Sequence, residues 1–253
     1  MQSTQSAKKF TVMLLRHGES LHNIEIRKFM ENHPEWKLRE WFEIEDQFDP
    51  KIRDAGLTEK GIQQARDMSG QVAQFNPSLM ILSPLTRNLH TAKEACRGVF
   101  ESTPGAEVHI SPILREHTYS TCDLGTDPVT LQAAWPEWTS QLHNVTDRWW
   151  VPEQLLAEGS SVDSDARNEC REPWQNLQNR TDTLIQLLQE KKEQGHERVL
   201  VVGHAVLFFA LTGNWLSNCE LVELDIERRR PRCGCTGYVC RCDNPEFDCR
   251  LHT

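Results

Sequence analysis

Short continuous apolar runs alternate along the chain with longer stretches in which apolar residues return every three or four positions. Phe10 to Leu15 (FTVMLL) is the first run, the pattern of a strand covered on both faces as in a parallel sheet. It stops at Arg16, His17 and Gly18. From Thr58 to Phe75, the residues Ile62, Ala65, Ser69 and Val72 share one helical face, with Thr58 as its N-cap and Pro77 as its stop. Leu79 to Leu82 (LMIL) predicts a second strand. Ser83 and Pro84 then predict the cap and first residue of a helix whose buried stripe is Leu85, Leu89, Ala92, Cys96 and Val99.

Glu107 to Ile110 predicts another short strand, and an irregular stretch follows from Ile113 to Ser164. Within it, Asp127 and Pro128 form a helix start, and Trp135, Trp138, Trp149 and Trp150 gather. A long amphipathic helix comes next, with Leu177, Leu184, Leu187 and Leu188 inward and its end near Gly195. Val199 to Val202 (VLVV) makes another buried strand, stopping at Gly203 and His204. This alternation predicts an α/β fold: a three-layer α/β/α sandwich around a mostly parallel central sheet.

Two of the buried strands end in a histidine beside glycine, His17 and His204. Ligands of open α/β sheets bind beyond the carboxyl ends of the strands, so both imidazoles are expected in one crevice. A third strand runs into Ser83-Pro84-Leu85-Thr86-Arg87, which brings a guanidinium to the same edge. A fourth runs into Leu114-Arg115-Glu116-His117, which adds a carboxyl group. Two histidines, Arg16, Arg87 and a glutamate there would supply a nucleophile, an anion clamp and a proton donor.

Composition narrows the partners. Lys and Arg number 28 against 37 Asp and Glu, a net charge of −9, which disfavours nucleic-acid binding because phosphate-backbone affinity comes from accumulated cations. The apolar run after the polar leader is too short for a secretory core or a membrane span. A cytoplasmic protein with reduced thiols is therefore expected. Of 9 cysteines, Cys233, Cys235, Cys240, Cys242 and Cys249 crowd the end of the chain.

LLRHGESLHN, LTEKGIQQA, SPLTRNLHTA, LRE and VVGHA, in this order and spacing, resemble the histidine phosphatase superfamily with its phosphoglycerate mutase-like fold; the likeness spans Phe10 to Asp225. It implies His17 as the nucleophile that becomes phosphorylated. It also implies Arg16, Asn23, Arg87 and His204 as phosphate-binding residues, His204 being protonated when phosphate is bound, and Glu116 as the general acid. No metal cofactor is required on this reading, since fixed cationic donors stabilise the transferring group. Glu19 competes for the acid role by its closeness to His17 and is assigned to orientation instead. Mutases of this fold resemble ERHYG after the proton donor, whereas this chain reads REHTYSTCDLGT. The departure favours hydrolysis of a small phosphorylated metabolite over phosphoryl transfer between positions. The Cys-Asp-x-Gly-Thr segment at Cys122 to Thr126 and the Trp149-Trp150 pair more closely resemble family proteins that carry a Cys-Asp-x-Gly-(Ser/Thr) segment followed by Trp-Trp. A weakly active regulatory protein is the reading from another class, and a lost member of the residue set would signal it; none is lost.

Three further features are open at this level. The insertion 113–164 is expected over the crevice mouth, its tryptophans serving as core or as substrate platform. Lys37, Arg39 and Arg53 are either a second anion site or a solvated charged face. The chain divides into a catalytic domain over residues 1–226 and a basic tail over 227–253. In that tail Cys233, Cys235, Cys240 and Cys242, with Cys249 and His252 near them, are candidate ligands of a structural zinc or free thiols.

Overall fold

A computed structural model describes residues 9–34, 52–102, 106–156 and 169–226. The tail cysteines, Lys37, Arg39 and the last part of the insertion lie outside the described residues. The elements run β1 (Thr11–Arg16), α1 (Leu21–Asn32), α2 (Glu59–Asp67), α3 (Ser69–Phe75), β2 (Leu79–Leu82), α4 (Thr86–Ala95), α5 (Arg97–Ser102) and β3 (Glu107–Ile110). Then come α6 (Pro128–Ala134), α7 (Thr139–Leu142), α8 (Trp174–Glu193), β4 (Arg198–Gly203), α9 (Ala205–Thr212) and β5 (Leu221–Leu224). The five strands form one sheet in the order β3-β2-β4-β1-β5, parallel throughout except for β5, which is antiparallel to β1.

The central strands are apolar along their interiors because both of their faces are covered, with Thr11, Arg16 and Arg198 at strand ends. Val12, Leu14, Leu79, Ile81, Val199 and Val201 face a core with α8 and α9, while Leu15, Met80, Leu82, Leu200 and Val202 face one with α4 and α5. Trp135, Trp138, Trp149 and Trp150 are buried in that second core. Their indoles are packing groups, and the described part of the insertion contributes to the second helical layer.

Three local expectations need correction, and one strand was not foreseen. The 58–75 helix is two, because the backbone tightens at Met68, whose N–H donates to Ala65 O three residues back (3.2 Å). The helix expected to begin at Pro84 begins at Thr86, since the Ser83 hydroxyl meets His204 Nε2 at 2.9 Å and leaves Leu85 as the capping position. The stripe through Cys96 and Val99 likewise spans two helices, α4 and α5, with Cys96 between them. β5 has no apolar run, being a sheet edge with Glu223 exposed and only Leu224 buried, so periodicity gave no sign of it. No helix among the described residues is long and apolar enough to cross a membrane.

Candidate active site

The chain leaves β1 through Arg16 and His17, and the His17 N–H continues the parallel ladder to Gly203 O at 3.1 Å. The next residue must be glycine. A Cβ on Gly18 would stand 2.4 Å from Gly61 O, and one on Gly61 would stand 2.1 Å from Glu19 O, so the two backbones touch without side chains between them. The Gly18 N–H donates to Thr91 Oγ1 at 3.0 Å, which ties this loop to α4. His17 Nδ1 lies 2.8 Å from Gly18 O. A carbonyl only accepts, so Nδ1 carries the proton and Nε2 keeps its lone pair. Burial, together with Arg87 and Arg16, pushes the His17 pKa well below its ordinary value and keeps the imidazole neutral.

His204 is the N-cap residue of α9, and its ring meets that of His17 edge to face with centroids 5.2 Å apart. Asn88 Nδ2 donates to Val202 O (3.2 Å), which fixes the orientation of the amide, and the same nitrogen donates to His204 Nε2 (3.3 Å). The remaining His204 proton therefore sits on Nδ1. Nδ1 is buried and, among the described residues, finds no partner. Burial first, then Arg87 and His17, lower the His204 pKa well below the ordinary value. It is therefore a neutral donor, and the protonation expected on phosphate binding would need the ligand's charge.

Arg16 anchors one arm of its guanidinium on Leu216 O (2.6 Å) while its buried Nε is unpartnered among the described residues. Arg87 is buried at the first turn of α4. Burial opposes its charge, but Cys122, Asp123, Glu116 and Asp54 outweigh that and raise its pKa. Arg16 and Arg87 thus bring two positive charges close to the neutral imidazoles, with the Glu116 carboxylate acting on both.

Glu116 reaches the same edge from the far side. One carboxylate oxygen accepts the N–H groups of His117 (2.9 Å) and Leu207 (3.1 Å), and the other accepts that of Val206 (3.2 Å), at the start of α9. Burial and the nearby Asp123 carboxylate raise its pKa to about 6 despite those hydrogen bonds. Glu19 has the opposite environment. Burial would raise its pKa, but Arg27, Lys60 and Thr58 all donate to its carboxylate and the pKa falls. Asn23 completes the capping box of α1 begun by Ser20: its Oδ1 accepts from Ser20 N (3.1 Å) and Asn218 Nδ2 (3.2 Å), leaving the amide nitrogen as a donor. Arg53 is tied to Gly125 O and lies over the Trp150 ring at 4.8 Å.

The structure thus brings Arg16, His17, Arg87, Glu116 and His204 to one edge of the sheet, with Asn23 joined to His17 through Asn218, which donates to His17 O (3.0 Å). Sequence reasoning missed Asn218. It also missed Asp123, whose Oδ1 accepts Arg87 Nη2 at 2.8 Å, and Arg180, which donates to the carbonyls of Ile113 and Arg115 (both 2.8 Å) and Glu116 (3.3 Å). The odd Cys-Asp-x-Gly-Thr segment was the one signal that could have led to Asp123. Among the described residues no group of three or more His, Cys, Asp or Glu is placed to hold a metal, and the tail candidates are not among them.

The family model of the histidine phosphatase superfamily (branch 1) matches residues 50–240, about three-quarters of the chain. The chain belongs to this superfamily. The histidine phosphatase match contains Arg87, Glu116 and His204 and begins after Arg16 and His17. Among solved structures, the alpha-ribazole phosphatase of Shigella flexneri is similar at 19% identity, covering 85% of this chain and 90% of its own, with a TM-score of 0.47. The phosphoserine phosphatase of Entamoeba histolytica is 19% identical over 85% and 89%, TM-score 0.44. A phosphoglycerate mutase of Bacillus anthracis is 20% identical over 80% and 78%, TM-score 0.45. No curated protein matches the chain.

Proposed function

We propose that this histidine phosphatase hydrolyses small phosphate monoesters through a phosphohistidine on His17, without a metal cofactor. The observation that carries the reading is the fixed tautomer of a buried, neutral His17 whose Nε2 lone pair is left for attack beside two guanidiniums. Arg16, Arg87, the His204 Nδ1–H and the Asn23 amide bind the phosphoryl oxygens. Nε2 attacks phosphorus in line as the bond to the leaving oxygen breaks, and Glu116 gives that oxygen its proton. A water then attacks the phosphohistidine, Glu116 takes the water's proton, the P–N bond breaks and inorganic phosphate leaves. A carboxyl group raised to about 6, and raised further by a bound phosphate dianion, is suited to serve as acid and then as base.

Hydrolysis is favoured over mutase chemistry by the sequence after Glu116, where His117 packs against both Tyr119 and Trp174 and the chain turns back towards Arg87 at Cys122. We place the catalytic residues within 1–226, in a cytoplasmic protein acting on a phosphorylated metabolite. The test is release of inorganic phosphate from a panel of small phosphorylated metabolites in the presence of a chelator, with a mutase assay alongside. Turnover abolished in His17→Ala and Arg87→Ala is expected. Phosphate release unchanged in His17→Ala would overturn the assignment.

A further inference from the structure

The segment Cys122-Asp123-Leu124-Gly125-Thr126 supplies no reacting group to the chemistry above, yet it converges on the start of α4 from two sides. Cys122 O accepts Arg87 Nη1 at 2.7 Å and Asp123 Oδ1 accepts Nη2 at 2.8 Å, in an ion pair whose side chains are 3% and 5% exposed. The other oxygen, Oδ2, accepts the N–H groups of Tyr119 (3.3 Å) and Ser120 (3.1 Å), so the carboxylate is itself held from behind. Downstream, Thr126 Oγ1 donates to Asp54 Oδ2 (2.7 Å). The Asp54 carboxylate also accepts Thr86 N and Oγ1, both at 2.8 Å, on the residue before Arg87. Gly125 lies flat on Trp149, where a Cβ would stand 2.2 Å from the ring, and Trp149 Nε1 donates to Thr126 O at 2.9 Å.

A guanidinium alone beside Arg16 would be repelled and free to turn among several rotamers. With two of its donors committed, Arg87 has one orientation, and its remaining N–H groups stay available for a ligand. We infer that Asp123 is a positioning residue that fixes the Arg87 guanidinium for phosphoryl binding, and that the surrounding segment exists to present it. The inference rests on the phosphatase reading of the site. It carries a consequence for proton transfer. Among the described residues, the charged groups acting most strongly on Glu116 include Asp123, Arg87 from α4 and Arg16 from β1. The N–H groups of α9 bond its carboxylate, Arg180 from α8 holds only its carbonyl, and His17 and His204 are neutral. Removing the Asp123 charge removes a like charge and unmasks Arg87, and both changes lower the pH at which Glu116 ionises.

The experiment measures inorganic phosphate binding by calorimetry and kcat/KM against pH with an alkyl phosphate, on the full chain and on Asp123→Asn, Arg87→Ala and the double variant. Asp123→Asn is expected to weaken phosphate binding by about 10-fold or more, to add nothing in the Arg87→Ala background, and to move the alkaline fall of kcat/KM to lower pH. Asp123→Glu, which keeps the charge on a longer arm, is expected to lose less and to hold the pH profile. If Asp123→Asn does not fold, Asp123→Glu alone decides by its phosphate affinity, and wild-type affinity would overturn the inference. Losses that multiply between Asp123→Asn and Arg87→Ala, or an unmoved pH profile with unchanged phosphate affinity, would also overturn it. Arg87→Ala binding phosphate like the wild type would instead strike at the site assignment itself.

Discussion

Glu116 and Glu172 are two carboxylates buried within the same part of the molecule, and their pKa values are shifted in opposite directions. Glu172 is fully buried and accepts Arg115 Nη2 and Arg180 Nε, each at 2.8 Å, as well as Arg180 Nη2 at 2.5 Å. Burial would raise its pKa, but the two guanidiniums outweigh it and hold the value at about 2. The Glu116 carboxylate, among the described residues, meets no guanidinium; it accepts only backbone N–H groups, and burial beside Asp123 takes it to about 6. Direct contact with Arg makes a permanent anion that serves as scaffold. Contact with peptide dipoles alone, near another carboxylate, leaves a group that can gain and lose a proton near neutral pH. The two regions are joined, because Arg180 holds Glu172 with one edge and the carbonyls of Ile113, Arg115 and Glu116 with the other.

The largest expected effect comes from breaking the scaffold. Glu172→Ala strands two buried guanidiniums and is expected to cost about 3–5 kcal/mol, seen as a fall of roughly 10 °C in Tm; a Tm within a few degrees of wild type would dissolve the contrast. Glu116→Gln should act the other way round. Its kcat/KM is expected to fall on the order of 10²–10³-fold with alkyl phosphates and much less with an aryl phosphate whose leaving oxygen needs no proton, with little change in Tm. Equal losses for both leaving groups would remove Glu116 from proton transfer.

The pH dependences separate the two carboxylates further. The depressed pKa of Glu172 contributes stability that is fully present above the ordinary glutamate value and is lost as pH falls from there towards about 2. Thermal melts from pH 6 downwards are expected to show this acid limb, and Glu172→Gln to flatten it. Glu116 has the opposite sign: its raised pKa makes the folded state lose stability as pH rises through about 6. Activity with alkyl phosphates should fall over the same rise, displaced upwards when phosphate is bound. The smallest effect is expected at Glu19, whose partners Arg27 and Lys60 are 48% and 62% exposed. Solvent screening limits Glu19→Gln to about 1 kcal/mol or less, measurable by urea titration.

The legible parts of the molecule were those encoded locally. β1, β2 and β4 are continuous apolar runs because both of their faces are buried, and His17 and His204 stand where such runs stop at glycine. β5 was invisible because an edge strand of four residues needs no apolar run. Asp123, Asn218 and Arg180 were invisible for another reason: each acts on a residue far away in the chain, 36 positions from Asp123 to Arg87 and 201 from Asn218 to His17. Asp, Asn and Arg are surface residues by default, and only the fold shows which of them are buried against the site. Arg115 and Glu116 make the point sharply, since neighbours in sequence enter the scaffold and the reactive cluster respectively.

The central claim is that His17 carries the phosphoryl group. Incubation of the full chain with a 32P-labelled monoester, followed by quenching, is predicted to yield label that is stable to base and labile to acid, present in wild type and absent in His17→Ala. Acid-stable label, or label retained at wild-type level in His17→Ala, would contradict it.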